Sequence, residues 1–206
     1  MTNNKITLAF LKTLSSPVIL LEGKRNVLHK DRRLLIELGK LLAGELPNAR
    51  FRSGNATGSD ELFSKGVAAV DSDRLEIVTP YAGHRKKHQI TEYVTDIDSI
   101  RAVEDEEVMY RTKSETKNPK LIDNFKKMGS NRVTVKAAYL IRDTVKVMGS
   151  KDHLPPVDAA LFYDDLKNPE SGGTGHTMRV CRAMNVSFCD QSVWIEWLNN
   201  HIKIAE

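Results

Sequence analysis

Three short stretches have the composition of anion-binding turns. The most pronounced is Ser171-Gly172-Gly173-Thr174-Gly175-His176-Thr177, with three glycines in four residues. Glycine loses more backbone freedom on folding than any other residue, so such a cluster needs a reason. Close approach of the backbone to a phosphate or sugar is one, and Thr174 and Thr177 add hydroxyl donors. His176 offers a phosphate partner or a general acid, with a bystander in the loop as the alternative. The second stretch is Ser53-Gly54-Asn55-Ala56-Thr57-Gly58-Ser59-Asp60. Its glycines let backbone N–H groups and a following helix dipole face an anion. Asp60 suits a helix cap or an acceptor for a ribose hydroxyl. The third is Gly23-Lys24-Arg25, where Arg25 could pair with phosphate in bidentate fashion; a solvated basic turn reads equally well. The Ser53–Asp60 loop lacks the Gly-Lys-Ser/Thr of a P-loop and the three-glycine dinucleotide signature.

The elements around these turns predict an α/β fold. Val18–Leu21 is a continuous apolar run, as expected of a parallel strand buried on both faces. A helix over 31–45 follows, with Asp31 as its N-cap and leucines at 3–4 spacing. Residues 49–53 read as a second strand, 60–70 as a helix and 75–78 as a third strand. These alternating units predict right-handed crossovers and a mostly parallel, Rossmann-like sheet with helices on both faces. Ligands of such sheets bind outside the carboxyl ends of the strands, where all three turns fall. The pattern loosens over 81–130, which carries a basic patch (84–88) and an acidic one (104–107) and reads as an inserted or lid-like helical segment. A helix over 131–148, with Val133 on its apolar side, precedes a strand at 157–163. The glycine loop 171–175 opens a helix to about 184. A last strand at 186–189 and a terminal helix over 194–204 close the chain. An amphipathic helix is expected over 5–14. The 206 residues read as a single domain.

Hydrophobic residues make up 40% and charged residues 28% of the chain, which excludes disordered, collagenous and membrane-spanning classes. The formal charge of +4 suits an anionic ligand without establishing one. The run Ile6–Leu11 is too short for a secretory core or a membrane span. Cys181 and Cys189 read as buried, reduced thiols of a cytoplasmic protein. No ligand spacing for a metal is present and no cofactor is expected. Residues 111–136 hold eight basic and two acidic residues. That asymmetry could track a nucleic-acid backbone, but Phe125 is the one aromatic there to stack on a base, and a solvated helix face is the simpler reading.

In this order the turns resemble the superfamily that joins the Smf/DprA DNA-processing proteins to the "lonely guy" phosphoribohydrolases (SLOG). Ser53–Asp60 looks like its glycine-rich turn ending in Gly-small-Asp, Gly23-Lys24-Arg25 stands at its Gly-Ser-Arg, and Gly172-Gly173-Thr174-Gly175 looks like its Gly-Gly-x-Gly-Thr loop. The resemblance spans roughly 17–189, interrupted by 81–130. It implies a pocket for a nucleotide or nucleotide-derived small molecule, and a homo-oligomer. Phosphate would rest on Gly172–Thr177 and ribose near Ser53–Asp60, with Arg25 and Arg142 balancing charge. Family members that cleave the base–ribose bond of nucleoside monophosphates have an arginine where Arg142 stands, which makes Arg142 a candidate catalytic residue beside His176, the general acid read from its own loop. Those enzymes follow the arginine with lysine, here Asp143, and carry a catalytic glutamate where this chain has Arg179. An arginine can neither stabilise an oxocarbenium charge nor activate water. Glu22, Asp164 or Asp165 would have to substitute. A binding or sensing role is therefore the leading expectation, an N-glycosidase the alternative, and single-stranded DNA binding, as other members show, a second alternative.

Overall fold

The computed structural model describes residues 6–205. Its centre is a six-stranded, all-parallel sheet in the order β4-β3-β2-β1-β5-β6. The strands are β1 (Val18–Gly23), β2 (Arg50–Ser53), β3 (Leu75–Thr79), β4 (Val94–Asp96), β5 (Ala159–Tyr163) and β6 (Ser187–Cys189). This is the Rossmann-like architecture expected from the alternating units. Strand β1 is central, and Leu20 faces Arg52 of β2 on one side and Ala160 of β5 on the other.

Alternate residues of β1 feed different cores, as the two-residue period of a strand requires. Ile19 and Leu21 pack with Phe51, Leu75, Ile77 and Leu161 beneath α2 (Arg32–Glu45), α3 (Ser59–Asp71) and α8 (Gln191–Ala205). Val18 and Leu20 pack on the other face with Phe162, Val147 and residues of α7 (Gly172–Ala183). A third core joins Val78 to α4 (Glu106–Glu115), α5 (Pro119–Met128) and α6 (Val135–Met148). Each fully buried Leu or Ile here contributes about 1.5–3 kcal/mol over an exposed one. Helices α2 and α3 meet through glycines: a Cβ on Gly66 would lie 2.1 Å from the Ile36 carbonyl, and one on Gly39 3.0 Å from the Gly66 Cα.

Several boundaries differ from the sequence expectation. Segment 81–130 supplies an edge strand, β4, as well as α4 and α5; three residues with one neighbouring strand need no apolar run, so the sequence signal was absent. Helix α6 begins at Val135, because Asn131 Oδ1 accepts from the Val133 and Thr134 N–H groups in a tight turn. Val133 is consequently 71% exposed, not part of an apolar helix face. Asp31 stands at the N-cap of α2 but does not cap it; its carboxylate accepts from the Tyr163 hydroxyl at 2.6 Å. Helix α1 is short (Leu8–Lys12), with Thr7 Oγ1 accepting from the Phe10 N–H; residue 5 of the expected helix lies outside the described residues. Gly172 to Gly175 form the first turn of α7, not a loop ahead of it. No helix among the described residues is long and apolar enough to cross a membrane.

Candidate functional site

β1 passes to β2 on one side and β5 lies on the other, so the strand order reverses at β1 and β5. A cleft of about 920 Å³ opens outside their carboxyl ends, at the position where open α/β sheets take ligands. Of the residues singled out from sequence, Gly23, Lys24, Arg25, Asp60, Arg142, Gly172, Gly173, Thr174 and His176 line it. Ser53, Gly54, Asn55, Gly58, Gly175 and Thr177 do not; they stand behind the wall and hold it.

The floor is a buried charge network. Glu22, at the end of β1, accepts from the Thr177 hydroxyl at 3.0 Å and faces the Lys146 ammonium at 2.7 Å. Lys146 also reaches Asp143 Oδ1 at 2.9 Å. Asp143 Oδ1 in turn accepts from Arg142 Nε and Nη2, at 3.0 and 2.6 Å. Arg142 Nη1 donates to the Gly54 carbonyl at 3.0 Å. Three of the five N–H groups of Arg142 are thereby used, leaving two for another acceptor. Burial opposes the Arg142 charge, but Asp143, Glu22 and Asp60 overcome it and raise its pKa. Burial likewise opposes the Asp143 charge, and Arg142 and Lys146 win, so that carboxyl is lowered. Glu22 goes the other way, to about 7: burial dominates, Lys146 offsets it only in part, and Asp143 and Asp60 add repulsion. With the ammonium shared between two carboxylates, Glu22 is the one that keeps its proton up to about pH 7.

The turn over 54–58 is already filled. Asp60 Oδ1 accepts from the Gly23 N–H and Oδ2 from the Ala56 N–H, both at 3.2 Å. The protein's own carboxylate sits where an anion was expected, joining two of the sequence-derived turns. Arg85 braces the turn from outside, its Nη1 donating to the Asn55 carbonyl at 3.0 Å.

The start of α7 is different. Ser171 provides no side-chain cap, and the first residues of the helix, Gly172, Gly173 and Thr174, whose N–H groups have no intrahelical partner, line the cleft. Two glycines here have conformational reasons of their own. Gly172 has φ +60°, and a Cβ on Gly175 would lie 1.8 Å from the Glu170 carbonyl. A Cβ on Gly173 would sit 3.1 Å from Asp143 Oδ2, so the helix start abuts the ionic floor. His176 is 1% exposed, and its Nε2 lies 3.1 Å from the Thr144 hydroxyl. Burial lowers its pKa. A neutral, buried imidazole bound to Thr144 serves as a strut between α6 and α7.

The rim is cationic. Arg25 is exposed, with no hydrogen bond or ion pair among the described residues. Lys24 lies 3.5 Å from Asp165. Lys117 and Lys136, from the basic window 111–136, border the opening, whereas Phe125 of that window is buried in the third core. Segment 81–130 reaches the cleft through Thr116, Lys117, Asn118 and Leu121. Arg179 donates to the carbonyls of Glu115 and Glu170. All three alternative carboxylates line the cleft: Asp164 accepts from the Glu170 N–H, Asp165 faces Lys24, and Glu22 belongs to the ionic floor. Sequence reading missed Lys146 and Tyr139. An aromatic group also borders the site: Tyr139 lines the cleft, with the Arg142 guanidinium 5.4 Å from its ring centre and His84 and Tyr81 packed against it at 5.7 and 6.4 Å. His84 is pushed down to about 4 by burial and by Arg142, Arg85 and Arg25, and so is neutral.

Both cysteines are free and buried. No group of metal-ligating side chains occurs among the described residues. No family model matches the chain, and no curated protein does. Among solved structures the chain is similar to DNA processing protein A from Helicobacter pylori, a protein with a single-stranded DNA binding mode. The two are 13% identical with a TM-score of 0.42, over 84% of this chain and 63% of that one. The chain thus spans less than two thirds of that protein's length.

Proposed function

We propose that this chain, as a SLOG-like protein, binds a nucleotide or nucleotide-derived phosphate ester in the cleft at the ends of β1 and β5. The observation that carries the reading is the uncapped start of α7 opening onto a cleft that also holds Arg142 and a rim of Lys24, Arg25, Lys117 and Lys136. Free N–H groups and the helix dipole favour an anion there, and the surrounding cations lower the cost of bringing one in. The phosphate rests on Gly172–Thr174 and takes the two unspent N–H groups of Arg142. Asp60 holds the turn over 54–58 in shape, and the ribose lies above it near Gly23.

Thermal unfolding in the presence of a nucleotide panel tests this. A ligand at a hundred times its Kd adds about 2.7 kcal/mol. The Gly173→Asp variant, which sets a second carboxylate against Asp143, abolishes the effect. Absence of stabilisation by any nucleotide defeats the reading, and stabilisation that survives in the variant moves the site elsewhere.

A second reading is favoured by Glu22, a buried carboxyl on the cleft floor with its pKa raised to about 7. In an N-glycosidase it would take a proton from water as the water oxygen attacks the anomeric carbon and the base departs with the bonding pair. Release of free base from nucleoside monophosphates, absent in Glu22→Gln, supports this reading; binding without release discards it. Oligonucleotide affinity that falls steeply with salt would instead point to single-stranded DNA.

A further inference from the structure

The cleft is chemically divided. Apart from glycines, the apolar side chains that line it are Ala56, Leu121, Tyr139 and Leu140, and the last three come from the neighbouring helices α5 and α6. The start of α7 and the ionic floor lie beside them, with the Arg142 guanidinium 5.4 Å from the Tyr139 ring centre. Inorganic phosphate or a phosphosugar has no apolar face to set against these side chains.

We infer that Tyr139, flanked by Leu121 and Leu140, is the platform for the nucleobase, so the occupant is a nucleotide with an intact base and not a phosphosugar alone. This rests on the cleft reading above and adds the group that its apolar side chains recognise.

The spacing supports it. Asp143 abuts Gly173 at the start of α7, and Tyr139 stands four residues earlier on α6. Four residues of helix advance about 6 Å, a step of the size of one pentose ring with its exocyclic carbon. A phosphate on Gly172–Thr174 therefore brings the base of the same molecule to Tyr139.

The ring is also held in place. His84 and Tyr81 pack against it near perpendicular, at 83° and 90°, the Tyr81 hydroxyl lies 3.5 Å from that of Tyr139, and the Arg142 guanidinium sits over the ring. The charged groups around this cluster are Arg142, Arg85 and Arg25; His84 is neutral. An aromatic side chain fixed before binding loses little freedom on stacking, and every base has a π face to offer it.

The test is equilibrium binding of the four ribonucleoside 5′-monophosphates and of ribose 5-phosphate to the full chain, to Tyr139→Ala and to Tyr139→Phe. Stacking of one base on one aromatic corresponds to roughly 5- to 150-fold in affinity. The wild type is expected to prefer at least one nucleotide over ribose 5-phosphate by a factor in that range. Tyr139→Ala loses the preference while keeping its ribose 5-phosphate affinity, and Tyr139→Phe retains both. Retained ribose 5-phosphate binding also certifies that Tyr139→Ala has folded. The inference is overturned if the wild type binds ribose 5-phosphate and nucleotides equally, or if Tyr139→Ala keeps the preference. It is overturned too if Tyr139→Ala and Tyr139→Phe both weaken all ligands alike. Binding of none of the five ligands by the wild type overturns the cleft reading itself, and this inference with it.

Discussion

Replacing Glu22 by glutamine should remove a defined pH dependence from folding stability. In the unfolded chain this carboxyl titrates near its ordinary 4.5, and in the fold near 7. At roughly 1.4 kcal/mol for each tenfold change in proton affinity, the difference amounts to about 3 kcal/mol. The sign follows from the direction: the folded state holds the proton more tightly. The contribution is fully present below pH 4.5 and is lost as the pH rises through 7. Glutamine keeps an oxygen to accept from Thr177 but has no proton to lose in this range. The stability of the wild type relative to Glu22→Gln should therefore fall by about 3 kcal/mol between pH 4.5 and 8.5. Urea unfolding at closely spaced pH values, followed by fluorescence of the buried Trp194, measures both proteins on one scale. A difference that stays constant to within roughly 0.5 kcal/mol over that range would refute the argument that burial outweighs Lys146 at this position.

Arg52 is fully buried, bonded to Glu76 and to the Lys146 carbonyl; Arg52→Ala leaves the buried Glu76 with only the longer contact to Arg50 and should cost about 3–5 kcal/mol by the same urea method. Gly175→Ala meets the Glu170 carbonyl and should prevent a normal unfolding transition. Gly44→Ala, in open space near the end of α2, should stabilise by about 0.5–1 kcal/mol; a loss of stability there would contradict the geometry. Burial raises the Cys181 and Cys189 thiols, Cys189 to about 12, so a disulfide reagent at pH 8 should label them only as fast as the protein unfolds. Rapid labelling of the native chain would show that these thiols are reached without unfolding.

Periodicity carried most of the fold. The apolar run at 18–21 and the leucines of α2 each have one physical explanation, and the elements follow. β4 escaped because an edge strand of three residues, Val94, Thr95 and Asp96, carries no such pattern. Ser53–Asp60 read as an empty cradle because sequence cannot show that Asp60 folds back into it. Lys146 and Asp143 were missed as a pair because charges on a helix normally face water. A signal was present all the same: Ala137, Ala138, Ile141, Val145 and Val147 are buried around α6, which leaves the charges among them little solvent face. Tyr139 gave none, since its value comes from its neighbours in space.

The ionic floor has a consequence for how this protein can change over time. Lys146 is gripped at both ends, its carbonyl by Arg52 and its ammonium by Glu22 and Asp143, and Asp143 is matched in turn by Arg142. Replacing Arg142, Asp143 or Lys146 alone unbalances the charge left in the interior, whereas Glu22 can give up its charge by holding a proton. A lineage can thus drift freely at Lys24, Lys117 or Lys136 on the rim and can exchange Glu22 for glutamine, while Arg142, Asp143 and Lys146 can be exchanged only in concert. Among relatives, these three positions should be found either all retained or all rewritten together.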